Sequence, residues 1–310
     1  MNGIIIIDKP AGKTSHDVVQ DVKRALGAKK VGHIGTLDPL ATGVLPVCIN
    51  EATKLAQFFN MDRKEYRATL LLGVTTDTYD VEGKIIAEAN PRVGKADIVQ
   101  ALLSLVGVKQ QVPPPYSAVK YKGQPLYKYA RKGINIVSLP RAIEIFHVSV
   151  GEINLPYVTF DVVCSKGTYI RSLCLELGEM LGCGACLAGL RRIKSGHYSE
   201  GEAFLFAGVA ETERKEALLQ HLIPLADALP DVPVVPVDEQ LAEKIRHGYQ
   251  PVFGSLFPHH IPFLAAGDVL RLKQERQLVA VARMLYQSDM LPTPAEQVQA
   301  VEILRVFNSE

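Results

Sequence analysis

The apolar positions of the chain fall into strand-like runs and helical stripes. Residues 3–7 form a continuous apolar run, which is typical of a buried strand. After Thr14 the apolar residues recur at helical spacing as far as Leu26, and Gly27 is placed to end the helix that this spacing predicts. The same reasoning predicts strands over 44–49, 66–73 and 158–164, and helices over 51–61, 96–105 and 168–181.

The pattern changes near residue 224. Residues 224–236 are rich in proline, which predicts a linker. A short helix is predicted over 241–247, and strand-like segments follow it. We therefore expect two domains, residues 1–230 and residues 231–310, of which the second is small and β-rich. Its predicted strands are 269–272, 278–282 and 301–307.

Composition sets limits on the class of protein. The 310 residues are 47% hydrophobic and 22% charged, which is enough for a core without metals or disulfides. The net charge is only +1, so any charge that binds nucleic acid must be local. Five scattered cysteines, including a lone Cys183-x-x-Cys186 pair, favour a reducing compartment over a disulfide scaffold or a zinc site. Without a signal-peptide pattern or an apolar stretch of membrane-spanning length, we expect a soluble, cytoplasmic protein.

Residues 32–43, Gly-His-Ile-Gly-Thr-Leu-Asp-Pro-Leu-Ala-Thr-Gly, are the most informative stretch. Asp38 lies there among apolar and small residues, and Pro39 favours an extended backbone at Asp38. A loop aspartate usually caps a turn, but one between buried segments is also a plausible reactive group. The residues alone therefore name a candidate acid and no reaction.

The segment from Ile98 to Ile143 contains no acidic residue. It contains seven basic residues with tyrosines between them, a combination that favours contact with a nucleic-acid backbone and stacking on bases. A solvated loop with a chance excess of positive charge is the alternative. The basic residues are Lys109, Lys120, Lys122, Lys128, Arg131, Lys132 and Arg141, and the tyrosines are Tyr116, Tyr121, Tyr127 and Tyr129.

Arg171 lies in the first turn of the helix predicted over 168–181. The helix dipole disfavours a cation at that end, so its presence is easier to explain if a carboxylate faces it. Asp77 and Asp80 lie in a polar turn whose spacing does not match a calcium-binding EF-hand loop.

These motifs resemble the bacterial TruB family of tRNA pseudouridine-55 synthases. The resemblance covers most of the chain well and its C-terminal part loosely. It rests on residues 32–46, Glu51-Ala52-Thr53-Lys54, Tyr66-x-Ala68, 72–83, Lys166-Gly-Thr-Tyr-Ile-Arg171, 182–185 and Leu190-Arg191-Arg192.

The resemblance implies an α+β pseudouridine-synthase fold with a mixed, mostly antiparallel sheet, and a small C-terminal PUA-like RNA-binding domain. It implies an RNA-clamping insertion at about 109–143. The implied partner is the T stem-loop of tRNA. No metal, cofactor, membrane or protein partner is implied, and we expect a monomer.

The resemblance also assigns roles to individual residues. Asp38 is the implied catalytic carboxylate, and Arg171 pairs with it and keeps it ionised. Tyr66 is the implied active-site tyrosine, which stacks on the base and is a candidate acceptor for the C5 proton. His33 fills the space that the base leaves, although a hydrogen-bonded loop histidine is the alternative. Further predicted substrate contacts are Leu190, Tyr169, Lys9, Asp80, Lys128, Arg131 and Lys132, and Arg191 and Arg192 are candidate phosphate contacts or a solvated pair.

The implied reaction breaks the N-glycosidic bond of uridine 55, turns the uracil and rejoins it to the ribose through C5. Whether Asp38 attacks C1′, attacks C6 or removes a sugar proton stays open. Two other classes of function fit the same residues less well. One is a non-catalytic RNA-binding protein, and the other is a carboxylate-dependent hydrolase, which needs a second acid near Asp38.

Overall fold

The computed structural model describes residues 1–59, 63–134, 136–256, 262–288 and 297–308. Within these ranges the fold is built on one large sheet and a smaller C-terminal sheet. In chain order the strands are β1 (Gly3–Lys9), β2 (Val31–His33), β3 (Thr42–Ile49), β4 (Lys64–Leu72), β5 (Val74–Thr76), β6 (Ile85–Glu88), β7 (Gly107–Gln111), β8 (Lys120–Tyr121), β9 (Gln124–Pro125), β10 (Arg141–Asn154), β11 (Tyr157–Cys164), β12 (Ala185–Ser195), β13 (Tyr198–Ser199), β14 (Ile223–Pro224), β15 (Val234–Pro236), β16 (Val269–Gln274), β17 (Gln277–Met284) and β18 (Val301–Val306).

Helices cover parts of both sheets. No helix among the described residues has the length and apolar character needed to cross a lipid bilayer. The α-helices are α1 (Ser15–Leu26), α2 (Lys95–Leu103), α3 (Leu126–Ala130), α4 (Ile170–Met180), α5 (Arg214–Gln220), α6 (Glu239–Arg246) and α7 (Phe253–Leu256), and 3₁₀ helices span Asn50–Phe59, Glu200–Glu202 and Leu225–Asp227.

The large sheet has the strand order β14-β1-β3-β12-β4-β11-β10-β7, with β2 added to β3 and β13 to β12. The described pairs in this sheet are antiparallel except for β12 with β3, where Arg191 pairs with Thr42 and Arg192 with Gly43. The predicted α+β fold with a mixed, mostly antiparallel sheet is therefore confirmed. The order brings β3, β12 and β4 side by side, and these strands carry or border most of the candidate site.

Strand β1 is buried on both faces, as its unbroken apolar run predicts. Ile5 and Ile7 face the main core, which α1, α2 and α4 cover. Ile4 and Ile6 face a second cluster that includes Phe59. A strand covered on both faces needs no polar alternation, which is why the sequence shows none.

Helix α1 forms as its local signals predict. The Thr14 hydroxyl accepts from the Asp17 amide at 3.1 Å, and the Asp17 carboxylate accepts from the Thr14 amide at 2.9 Å. These reciprocal bonds form a capping box. Gly27 follows in the left-handed conformation (φ 62°) that ends many helices.

Three helix predictions need correction. The segment predicted as a helix over 51–61 is a 3₁₀ helix over Asn50–Phe59, and residues 60 and 61 lie outside the described ranges. The helix predicted over 96–105 spans Lys95–Leu103. The helix predicted over 168–181 begins at Ile170, because the Thr168 hydroxyl donates to the Ser165 carbonyl and leaves Tyr169 at the cap position.

The prediction of a linker over 224–236 is wrong. Ala228 and Val235 are buried, and β14 pairs with β1 on the edge of the large sheet. Leu229 packs in an apolar cluster that includes Ile4 of β1 and Phe307 after β18. The prolines therefore shape a packed connection between the two sheets.

The C-terminal part has its own sheet, with the order β15-β16-β17-β18. Strand β15 runs parallel to β16, and the other two pairings are antiparallel. Helices α6 and α7 contribute Ile245 and Phe253 to its apolar cluster. The three predicted strands, 269–272, 278–282 and 301–307, are confirmed as β16, β17 and β18, each with slightly different ends.

Candidate active site

Asp38 lies in the loop between β2 and β3, on the wall of a cavity of about 260 Å³. Ser15 fixes this loop from behind, because its hydroxyl donates to the Leu37 carbonyl at 3.0 Å and accepts from the Leu37 amide at 2.9 Å. The Asp38 carbonyl accepts from the Ala41 amide at 3.1 Å, which closes a turn over Pro39. The Asp38 side chain is 38% exposed, so a molecule in the cavity can reach it.

Arg171 pairs with Asp38, as the sequence predicts. Its Nε donates to Asp38 Oδ2 at 2.8 Å, and its Nη2 lies 2.8 Å from the same oxygen. Two carbonyls hold the rest of the guanidinium, Thr78 at 3.0 Å from Nη1 and Tyr116 at 2.9 Å from Nη2. The Arg171 side chain is only 4% exposed. A buried, fully engaged guanidinium fixes the orientation of the carboxylate, and leaves Asp38 Oδ1 for the cavity.

Asp80 lies behind Arg171, with Oδ2 at 3.6 Å from Nε. Its Oδ1 accepts from the Thr78 hydroxyl at 2.6 Å and from the Glu82 amide at 3.1 Å. The side chain is 9% exposed. The Asp80 oxygens therefore have partners within the protein, and the carboxylate helps to neutralise Arg171. Its contact with the substrate stays a prediction.

Lys9 is also engaged within the protein. Its side chain is fully buried, and Nζ donates to the carbonyls of Pro10, Lys13 and Pro39 at 2.9, 2.6 and 3.2 Å. Burial lowers the pKa of the Lys9 ammonium to about 8, against the opposing attraction of Asp38. An ammonium has three donors, and Lys9 uses them to hold the backbone beside Asp38. Its contact with the substrate stays a prediction.

Tyr66 also lines the cavity. It lies on β4, directly across from Arg192 on β12, and both side chains line the cavity. Burial raises the pKa of Tyr66, and the contact with Arg192 only partly offsets it. At neutral pH the free phenol therefore keeps its proton.

Tyr169 and Leu190 also line the cavity. The Gln111 side chain fixes the Tyr169 backbone, because its amide donates to the Tyr169 carbonyl at 3.1 Å and its oxygen accepts from the Tyr169 N–H at 2.8 Å. Burial raises the pKa of the Tyr169 hydroxyl, which faces Ser117. These side chains give the cavity an aromatic and aliphatic rim.

His33 is the last residue of β2, just before the loop that contains Asp38. Its Nε2 is 3.0 Å from the Thr36 hydroxyl. Burial lowers the pKa of His33, and the charges of Arg192 and His16 lower it further. The histidine is therefore neutral at pH 7 and is hydrogen-bonded within its loop.

The sequence did not identify two buried cations that line the cavity. Lys64 was not named as a site residue, and the burial of Arg192 was not expected. Lys64 alternates with Tyr66 and Ala68 on the buried face of β4, and this alternation was the signal that could have found it. Neither arginine of the pair at 191 and 192 is a solvated cation. Arg191 makes ion pairs with Asp8 and Glu200 at 2.9 and 2.8 Å within the protein.

The basic insertion was predicted at about 109–143. Arg141 pairs with Gln111 in the sheet, so the chain leaves β7 after 111 and returns at 141. Lys109 belongs to β7 and forms an ion pair with Glu176, so it is not a free cation of the loop. The Tyr116 carbonyl accepts from Arg171, which ties the insertion to the Asp38–Arg171 pair.

The outer part of the insertion carries the predicted cations. Lys128, Arg131 and Lys132 are all exposed, on or directly after α3. The Arg131 guanidinium lies 5.4 Å from the centre of the Tyr127 ring. The Tyr127 amide donates to the Ser117 carbonyl at 3.1 Å. Helix α3 is therefore hydrogen-bonded directly to a residue of the cavity wall.

The described residues contain no group of three or more His, Cys, Asp or Glu side chains arranged to hold a metal ion. The five cysteines are all free, and four of them are buried.

Comparison with known proteins agrees with this architecture. Residues 23–170 match the model of the TruB family pseudouridylate synthase N-terminal domain, and residues 171–230 match the tRNA pseudouridylate synthase B C-terminal domain. The chain is 53% identical over 309 residues to tRNA pseudouridine synthase B of Syntrophus aciditrophicus, covering 99% of both proteins.

Solved structures give the same result. A Cbf5-Nop10-Gar1 complex contains a chain that is 28% identical, with a TM-score of 0.71 over 98% of this chain and 84% of that one. An H/ACA RNP bound to a substrate RNA containing 2′-deoxyuridine contains a chain that is 27% identical, with a TM-score of 0.70 over 99% and 85%. The protein belongs to the TruB family of pseudouridylate synthases.

Proposed function

We propose that the protein is a tRNA pseudouridine synthase that converts uridine 55 of the T loop to pseudouridine, with Asp38 as the catalytic carboxylate. The observation that carries the proposal is the pairing of a partly exposed Asp38 with a buried Arg171 on the wall of a small cavity. Family membership supports the reaction, and the relatives named tRNA pseudouridine synthase B support tRNA as the substrate.

In this proposal the target uridine is flipped out of the folded loop into the cavity, because an enzyme cannot reach it inside the stack. Tyr66 and Leu190 contact the two sides of the base. His33 occupies the space that the base leaves. Asp38 Oδ1 faces the nucleoside, since Oδ2 is held by Arg171.

A hydrolase with the same acid is a weaker candidate. Hydrolysis of a glycosidic bond usually needs a second carboxyl group that delivers a proton. Asp80 is near enough to contact the same Arg171 guanidinium, but it is buried and both its oxygens have partners. It is therefore badly placed to protonate a leaving group.

We propose that residues 231–310 form a separate PUA-like domain that binds RNA. The separate sheet and apolar cluster of this part support the division. Its packing through Leu229 and Phe307 against the first part supports a fixed position relative to the catalytic cavity.

Reversing the charges of Lys128, Arg131 and Lys132 to glutamate is expected to weaken tRNA binding. It is also expected to reduce the slope of log Kd against log salt by about 2 to 3, because each lost phosphate contact removes about one unit. Filter binding at several salt concentrations measures both effects. The matched control reverses Arg92, Lys95 and Lys215, which are exposed outside the insertion. An equal change of slope in the control variant would show that the insertion has no special role in tRNA binding.

Position-specific mapping tests the proposed substrate. An unmodified tRNA transcript is incubated with the protein, and pseudouridine is located by carbodiimide modification and primer extension. We expect a single stop that reports position 55. A transcript with cytidine at position 55 serves as the control and is expected to give none. Modification at other uridines of the wild-type transcript, without position 55, would contradict the proposed site.

A further inference from the structure

The cations that line the cavity differ in their access to solvent. Among the cavity-lining residues that the structure describes, the cations are Lys64, Lys166, Arg171 and Arg192. Lys64, Arg171 and Arg192 are buried, with 7%, 4% and 1% of their surface exposed. Lys166 is exposed. It is therefore the cation of this cavity that a charged group outside the cavity can approach.

Lys166 lies in the turn between β11 and α4, and hydrogen bonds fix this turn. The Ser165 amide donates to the Glu144 carbonyl at 2.8 Å, and the Ser165 hydroxyl accepts from the Glu144 amide at 2.9 Å. The Thr168 hydroxyl donates to the Ser165 carbonyl at 2.9 Å. Gly167 has the left-handed conformation (φ 81°) that lets the chain turn. The side chain of Lys166 therefore extends from a fixed point at the rim of the cavity.

The Lys166 ammonium is not occupied within the protein. Across the described ranges of the chain it forms no ion pair with a carboxylate and no hydrogen bond. Lys109 and Arg191, by contrast, have carboxylate partners in Glu176 and Glu200. Lys166 therefore keeps all three of its donors and its full charge for a ligand.

The size of the cavity decides which part of a nucleotide it can enclose. Its volume is about 260 Å³, below the ~300–1,000 Å³ of most sites that enclose a whole small-molecule ligand. A uracil base is small enough for such a space, and the phosphates on both sides of its ribose then stay at the mouth. There they lie near the negative charge of Asp38, whose side chain is 38% exposed. Like charges repel, so a cation at the mouth is needed to offset that repulsion.

We propose that the Lys166 ammonium binds one of the two phosphates that flank the target uridine, and so holds the flipped nucleotide in register with Asp38. This inference rests on the proposed function and deepens it. Lysine binds phosphate as a point charge on a flexible stem, which suits a partner that arrives from solvent. The cations of the insertion have a different task, because Lys128, Arg131 and Lys132 are not among the residues that line the cavity.

Lys166→Met is expected to weaken binding of a synthetic T stem-loop RNA by about 5- to 10-fold. It is also expected to reduce the slope of log Kd against log salt by about 1, because one phosphate contact is lost. The matched control is Lys194→Met. Lys194 is an exposed lysine at the same end of the large sheet, where it pairs with Glu65, but it does not line the cavity. The control should bind the RNA as the wild type does.

Neutral linkages in the RNA identify the phosphate. Two stem-loops each carry one methylphosphonate, on the 5′ or the 3′ side of uridine 55. The nucleotide before that linkage carries a 2′-O-methyl group, because a free 2′-hydroxyl would cleave the neutral linkage. Reference RNAs have the same 2′-O-methyl group and an ordinary phosphate. We expect one of the two neutral linkages to weaken binding to the wild type by about 5- to 10-fold, and to have almost no effect on Lys166→Met. Lys194→Met should keep the full sensitivity.

Three results would overturn the proposal. The first is an unchanged Kd for Lys166→Met with the unmodified RNA. The second is a wild-type protein that is insensitive to both neutral linkages. The third is equal sensitivity of the wild type and Lys166→Met to both linkages, because the ammonium and the phosphate would then act independently. Urea unfolding of Lys166→Met checks that this exposed substitution leaves the fold intact.

The affinity measurements do not depend on turnover, so they separate this inference from the proposed function. If pseudouridine forms at position 55 and the two changes act independently, the proposed function stands and the phosphate contact fails. If no pseudouridine forms, the proposed function fails, and coupling between Lys166 and one linkage would still show the phosphate contact.

Discussion

Asp38→Asn is expected to lower the single-turnover rate of pseudouridine formation by at least about 10³-fold. The amide keeps the size of the carboxylate but loses its negative charge and its nucleophilic or basic oxygen. Binding of tRNA should change little, because the basic insertion carries most of the proposed backbone contacts. The rate is measured with enzyme in excess over tRNA, and affinity is measured by filter binding.

Asp77→Asn is the matched control for this prediction. Asp77 is also a loop aspartate of the same part of the chain, and its Oδ1 accepts from the Lys84 amide at 2.8 Å. An asparagine can keep that bond. The control should retain most of the wild-type rate. Full activity of Asp38→Asn would exclude Asp38 as the catalytic group, whatever the control gave.

Arg171→Met is expected to lower the free energy of unfolding by about 3 to 5 kcal/mol and to abolish turnover. The change leaves the buried Asp80 without its cation, and it removes donors from the Thr78 and Tyr116 carbonyls. It also frees the Asp38 carboxylate from the orientation that Arg171 gives it. Urea unfolding followed by circular dichroism measures the loss of stability.

Arg67→Met is the matched control for Arg171. Arg67 also forms a two-pronged pair with an aspartate, Asp161, at 2.9 and 3.0 Å, but its side chain is 54% exposed. Exposed pairs contribute little to stability, so this variant should unfold nearly as the wild type does. Equal destabilisation of the two variants would show that burial of Arg171 is not what makes its pair important.

Local signals predicted the elements that depend on local interactions. The Thr14 cap, the Gly27 stop and the apolar run of β1 each correspond to a feature of the structure. The segment 224–236 shows the limit of such signals. Proline restricts the backbone, but it does not reveal which side chains pack, and Ala228 and Val235 are buried.

The Asp38–Arg171 pair was predictable because two independent features pointed to it. The resemblance named the aspartate, and a cation at a helix start is best explained by a facing carboxylate. The positions of Lys9, Asp80 and Arg192 were not predictable in the same way. Their burial depends on contacts between strands and loops far apart in sequence, such as the pairing of Arg192 with Tyr66 and with Gly43.

The most direct test of the central claim is release of tritium from an unmodified tRNA transcript labelled at uracil C5. Isomerisation replaces the C5–H bond by a bond to C1′, so we expect one tritium released per tRNA and pseudouridine as the recovered nucleoside. Release of free uracil with its label intact would instead indicate a hydrolase. Tight binding of the transcript with no release would contradict catalysis and leave an RNA-binding protein.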